Sequence, residues 1–197
     1  MKRLLVALLL CGALSNTLTI SAQSSTTTPS RFTISTGIGL FPTYYKASER
    51  TGMLPLSFKV GIDVSKNFSL GTFFGYSSTT AKPNIFTEGD NSYITNKTKV
   101  LGLRAEVKKE FSERVQGYGG SMIGYHHADV KEYNKDTKAL VIRAADAPTP
   151  FNPNEKKGKL TYAAFMGATV KVAKKVNLYG EIGYGISIAN IGVTVRI

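Results

Sequence analysis

Cysteine is almost missing from this chain. The single one, Cys11, sits inside the unbroken apolar run near the start, after Leu10, where a lipid-attachment site would carry a small residue. It reads as an apolar filler lost with a leader. The remainder then has neither disulfides nor thiolate metal sites. Tryptophan is absent, and the two histidines, His126 and His127, are adjacent. Neighbours on a strand point to opposite faces, so a regular strand cannot aim both at one metal. No segment after the leader holds 18 consecutive apolar residues, which excludes a spanning helix but not a spanning strand of ~9–11 residues. Acidic residues are scarce too, 13 against 25 Lys and Arg, for a net charge of +12.

The first residues have the layout of a secretory signal peptide. Lys2 and Arg3 supply charge, Leu4 to Leu10 an apolar core, and Ser21-Ala22-Gln23 a cut site. Residues 1–23 are expected to be removed, with cleavage near Ala22 or Gln23. Without Lys2 and Arg3 the charge is +10. For an exported protein the expected anionic neighbours are outer-membrane lipid and lipopolysaccharide, not nucleic acid. A plainer reading is a set of solvated Lys-rich turns. Residues 24–30, rich in Ser and Thr, read as a disordered lead-in, leaving 31–197 as one domain.

From Arg31 onward, apolar residues recur with period two, the mark of strands with unlike faces. Leu54, Leu56, Phe58, Val60, Ile62 and Val64 oppose Pro55, Ser57, Lys59, Gly61 and Asp63. Leu101, Leu103, Ala105 and Val107 oppose Gly102, Arg104 and Glu106. Similar alternation starts at Ile34, Phe68, Ala164, Leu178 and Ile191, and a stretch near Val115 to His127 has glycines on both parities, so its faces stay unassigned. That makes eight strands. Tight turns (65–67, 109–113, 173–175) alternate with long polar segments (42–53, 78–98, 128–158), and only the last hairpin, near Ser187 to Asn190, is short where a long one is expected. Long loops at one end and short turns at the other is how outer-membrane barrels are built.

The polar face decides the orientation. It is mostly Gly and Ser, with one or two charges per strand. Small residues suit a cramped lumen, since eight strands enclose little more than their own side chains. A soluble, lipocalin-like exported binder would instead wear its polar face outside. The apolar alternation also runs to Ile197, and aromatics such as Phe32, Tyr76, Tyr162 and Tyr184 fall near strand ends, where rings favour the headgroup zone.

On the runs Gly117-Tyr118-Gly119-Gly120 and Gly180-Glu181-Ile182-Gly183-Tyr184-Gly185, and the terminal Ile191 to Ile197, the chain resembles the small outer-membrane β-barrels. That porin-like family includes the OmpA transmembrane domain and OmpX-type proteins. The resemblance implies an all-β fold, a closed antiparallel eight-stranded up-and-down transmembrane barrel in the outer membrane. It implies a structural or surface-interaction role: membrane integrity, adhesion or host contact through the outer loops. The outer-membrane assembly machinery and a host or surface ligand are the implied partners.

Lys59, Asp63, Arg104, Glu106, Glu181 and Arg196 share the small-residue face and should form a structural charge network in the lumen. Glu181 is expected to pair with Arg104, and Arg196 with Glu106 or Asp63. Buried charges are tolerable only when so paired. The competing reading is a narrow passive channel. Some small barrels modify lipid A, and a deacylase of that kind would show His and Ser two positions apart on one face. Ala128 and Asp129 stand at those places instead. No enzyme activity, catalytic residue, cofactor or metal is expected.

Overall fold

The computed structural model describes residues 32–43, 49–81, 92–142 and 158–197. The expected leader, the lead-in and parts of the three long loops lie outside the described residues. Eight strands follow one another: β1 (Phe32–Gly39), β2 (Glu49–Ser65), β3 (Phe68–Ala81), β4 (Ser92–Glu110), β5 (Val115–Asn134), β6 (Lys159–Lys171), β7 (Val176–Gly183) and β8 (Ala189–Arg196). Each pairs antiparallel with the next, and β1 pairs with β8 to close the barrel. Closure gives every strand a partner on both sides across the girdle, which a bilayer demands.

The two faces are now fixed. Phe58, Leu103 and Val195 are 45%, 64% and 40% exposed, whereas Arg104 is 4% exposed. Greasy side chains therefore point outward and charged ones inward. This is the reverse of a soluble lipocalin-like barrel, and it overturns that alternative. The fifth strand keeps strict parity. Tyr118, Met122 and His126 point in, while Ile123, Tyr125 and His127 point out. Its glycines fall on both faces because two lie in the lumen, Gly120 and Gly124, and two on the outside, Gly117 and Gly119.

Four strands outrun the sequence expectation. β2 begins before Met53, β3 passes Ser78, β4 begins before Thr98, and β5 passes Ala128. Beyond the hydrocarbon both faces can be polar, so the apolar alternation fades while the hydrogen-bond ladder continues. Strands β1, β7 and β8 have 8 residues each, against 19 for β4 and 20 for β5. The wall is therefore lopsided, tall along β2, β4 and β5 and low along β7, β8 and β1.

The one short outer connection, between β7 and β8, turns inward. Ile186 and Ser187 are almost fully buried. Ser187 Oγ donates to the Phe41 carbonyl at 2.7 Å and accepts from the Phe41 amide at 3.1 Å. Ile188 N donates to the same carbonyl at 2.8 Å, and Thr43 N to the Ile186 carbonyl at 3.2 Å. A connection this short can plug the rim because it is tied to the end of β1. Below it, Gly37 gives the Tyr179 ring its room: a Cβ there would stand 2.1 Å from the Tyr179 hydroxyl.

Candidate functional site: the filled lumen

The lumen is filled in three layers, each set by strand parity. The inward positions of β4, read from the outer end, are Val100, Gly102, Arg104, Glu106 and Lys108. They carry the chemistry from greasy to charged toward the short-turn end.

Uppermost is an apolar layer of Phe73, Val100, Met122, Ala163, Phe165 and Ile186. Here the plug loop meets the strands. Beneath it lies the central charge cluster. Arg104 forks onto Glu181, with Nη1 to Oε1 at 3.1 Å and Nη2 to Oε2 at 2.7 Å. Its Nε donates to Glu106 Oε1 at 3.1 Å. Lys59 Nζ and the Tyr118 hydroxyl each donate to Glu181 Oε2 at 3.0 Å. Two rings finish the enclosure: Arg104 lies 3.5 Å from the Phe165 ring centroid, and Lys59 Nζ lies 3.7 Å from that of Tyr179. Weakly hydrated guanidinium suits such stacking, and the aromatic faces supply attraction that water supplies elsewhere.

The lowest layer is polar. Lys108 pairs with Asp63. Arg196 Nη2 donates to Gln116 Oε1 at 2.9 Å, and Ser69 donates to Glu106 at 3.4 Å. On the β1–β8 seam, Ser35 and Thr194 share a hydrogen bond of 2.7 Å. A polar cavity of about 60 Å³, lined by Lys59, Arg104, Glu106, Lys108 and Gln116, opens here, with room for a few waters. Between Phe73, Met122, Phe165 and Glu181 lies a second cavity of only about 10 Å³. Side chains fill the lumen at that level.

Five of the six residues expected from sequence thus stand in ion pairs, and Arg104 and Glu181 meet. Arg196 does not meet Glu106 or Asp63. Glu106 is engaged by Arg104, and Asp63 by Lys108, so Arg196 bonds to an uncharged side chain instead. Sequence reasoning missed Lys108, Tyr118, Gln116 and Tyr179. Lys108 follows Arg104 and Glu106 at the same parity and was legible. Tyr118 and Gln116 were hidden by the unassigned faces of β5. His126 points in and His127 out, so they diverge as the strand requires. Among the described residues, no group of three His, Asp or Glu side chains gathers as metal ligands.

No family model matches the chain, and no curated protein matches it. Its architecture matches solved structures at low identity. The outer membrane protein OprG of Pseudomonas aeruginosa aligns over 85% of this chain and 96% of its own, with a TM-score of 0.54 and 11% identity. Ail, the attachment invasion locus protein of Yersinia pestis, solved with the heparin analogue sucrose octasulfate, aligns over 85% and 95%, with a TM-score of 0.46 and 15% identity. Neisserial surface protein A aligns over 85% and 95%, with a TM-score of 0.45 and 8% identity. At such identities the likeness concerns shape. Strand count, antiparallel closure and an outward apolar girdle over a filled core together give this chain the fold of the small eight-stranded outer-membrane β-barrels.

Proposed function

We propose that this protein is a closed barrel of a Gram-negative outer membrane, with a structural and surface-interaction role carried by its outer end. The girdle supports the location, because its exposed Phe, Leu, Ile and Val side chains need hydrocarbon around them. The observation that carries the role is the filled lumen. The Arg104–Glu181 fork lies under the Phe73, Met122, Phe165 and Ile186 layer, and together these side chains fill the axis among the described residues. A barrel filled in this way acts, on this reading, through what it presents outside. Its partners on this reading are outer-membrane lipid, lipopolysaccharide, the assembly machinery and a surface or host ligand. It is not an enzyme on this reading, since neither histidine has a serine two positions on along its strand face.

Three measurements test the proposal together. The protein should resist extraction by carbonate or urea. It should run faster unboiled than boiled in SDS gels. In planar lipid bilayers it should show no steady open conductance. Steady conductance that Glu181→Lys alters would establish the narrow channel instead. A change in lipid A mass on expression would establish the enzyme.

A further inference from the structure

The outward face of the tall β4–β5 hairpin carries charge that neither the girdle nor the lumen uses. Its register puts Leu101 across from Tyr125, Lys99 across from His127, Lys97 across from Asp129, and Thr95 across from Lys131. Leu101 and Tyr125 are the last exposed greasy pair. Lys99 also stands beside Tyr76 of β3. Two residues along a strand cover about 7 Å, so Lys99 and His127 begin one step above the hydrocarbon and Lys97 and Lys131 follow. That is the depth of lipid headgroups.

The charges are concentrated. Among the strand side chains described, the outward cations above the girdle are Lys97, Lys99 and Lys131, all on this hairpin. The β5–β6 ladder ends at His126 and Lys159, and the outward Leu160 and Tyr162 of β6 stand opposite Tyr125 and Ile123, level with the girdle. Asp129 is the one outward acid here. It bonds to Lys131 at 3.1 Å and holds that ammonium's pKa above its usual value. Lys97 and Lys99 make no ion pair among the described residues. Three lysines against one aspartate leave +2. Directly opposed Cβ atoms such as those of Lys99 and His127 are about 5 Å apart, and Lys97, two residues along from Lys99 and diagonal to His127, is about 7 Å away, within reach of the same anion for a long side chain. Flexible lysine stems let the ammonium groups settle at the level of that anion.

We infer that the outward face of β4–β5, centred on Lys97 and Lys99 with His127 between the strands, binds the phosphate headgroup of an outer-leaflet glycolipid whose acyl chains lie on Leu101, Leu103 and Tyr125. The inference rests on the membrane reading above and names the place where that lipid is held. A belt of cations would attract the leaflet equally from all sides. A patch on one hairpin fixes one headgroup against one wall.

The test is native mass spectrometry of the detergent-solubilised, heat-modifiable barrel, titrated with lipid A carrying two phosphates and with the same lipid A stripped of them. The expected result is one saturable bound lipid A. Its affinity should fall about tenfold or more in K97Q/K99Q, since the two lost charge contacts together are worth about a decade. K66Q/K109Q removes equal charge at the opposite end and should bind as the unaltered barrel does. The stripped lipid should bind no more tightly to the unaltered barrel than to K97Q/K99Q. Equal losses in the two double variants, or indifference to the phosphates, would overturn the site. Carbonate extraction or loss of the heat-modifiable form would overturn the membrane reading instead, so the two failures are distinguishable.

Discussion

Glu181→Gln probes the charge cluster at its centre. In the folded barrel this carboxylate receives two hydrogen bonds from Arg104, one from Lys59 and one from Tyr118. A glutamine is isosteric but uncharged, and its amide nitrogen turns a donor toward donors. Removing one member of a buried pair costs about 3–5 kcal/mol, because the other charge stays buried. Here the lower end applies. Arg104 keeps Glu106 at 3.0 Å, and Lys59 keeps the Tyr179 ring. A loss of about 3 kcal/mol is roughly two decades in the folding equilibrium. With a slope of about 1–3 kcal/mol per molar urea, the midpoint should fall by about 1–3 M. The assay is the fraction at the fast-migrating position in unboiled gels, after equilibration with lipid vesicles across a urea series. Lys59→Met together with Glu181→Met removes one charge of each sign and leaves the Arg104–Glu106 pair. It should lose less than Glu181→Gln alone. An unchanged midpoint for Glu181→Gln, or a larger loss for the double variant, would refute the view that pairing in the lumen matters to stability.

The girdle and the close contacts give three further expectations. Leu103→Arg places a charge on the outward face and should cost about 2–4 kcal/mol in the same urea assay if it meets hydrocarbon near the midplane, against nearly nothing for a water-washed surface. Gly37→Val should lower the folded yield on refolding into vesicles, because the Tyr179 hydroxyl occupies the space its Cβ needs. Phe165→Ala opens the upper layer and strips the Arg104 face, so about 3–5 kcal/mol should be lost. Planar bilayer recordings of this variant should stay silent, because the Arg104–Glu181 fork still closes the layer beneath.

The fold was largely legible wherever strands cross hydrocarbon, because lipid on one side and a cramped axis on the other force unlike residues to alternate. Leu101 to Val107 shows this at every position. Legibility fails where that contrast fails. Tyr93, Thr95 and Lys97 continue β4 with a polar outer face, so the sequence there has the pattern of a loop. Phe73 and Met122 are large apolar residues that point inward, against the rule that served their neighbours. They are there because the upper lumen is sealed by grease, not by charge. The inward turn of Ile186 had no local signature, since its burial depends on ties to Phe41 and Thr43 far away in sequence. The partner of Arg196 has no local signature for a similar reason: Lys108 claims Asp63, and that is a fact of three strands at once.

Glu181 lies on β7, the last strand but one, while the cations it neutralises arrive much earlier, on β2 and β4. A half-inserted sheet lacking its final hairpin would carry Lys59 into the bilayer with no counterion, beside an Arg104 balanced only by Glu106. Strand-by-strand entry would therefore carry an electrostatic cost. A sheet that curls before it submerges avoids that cost, because its cations then meet the hydrocarbon already shielded by the carboxylate of the C-terminal hairpin.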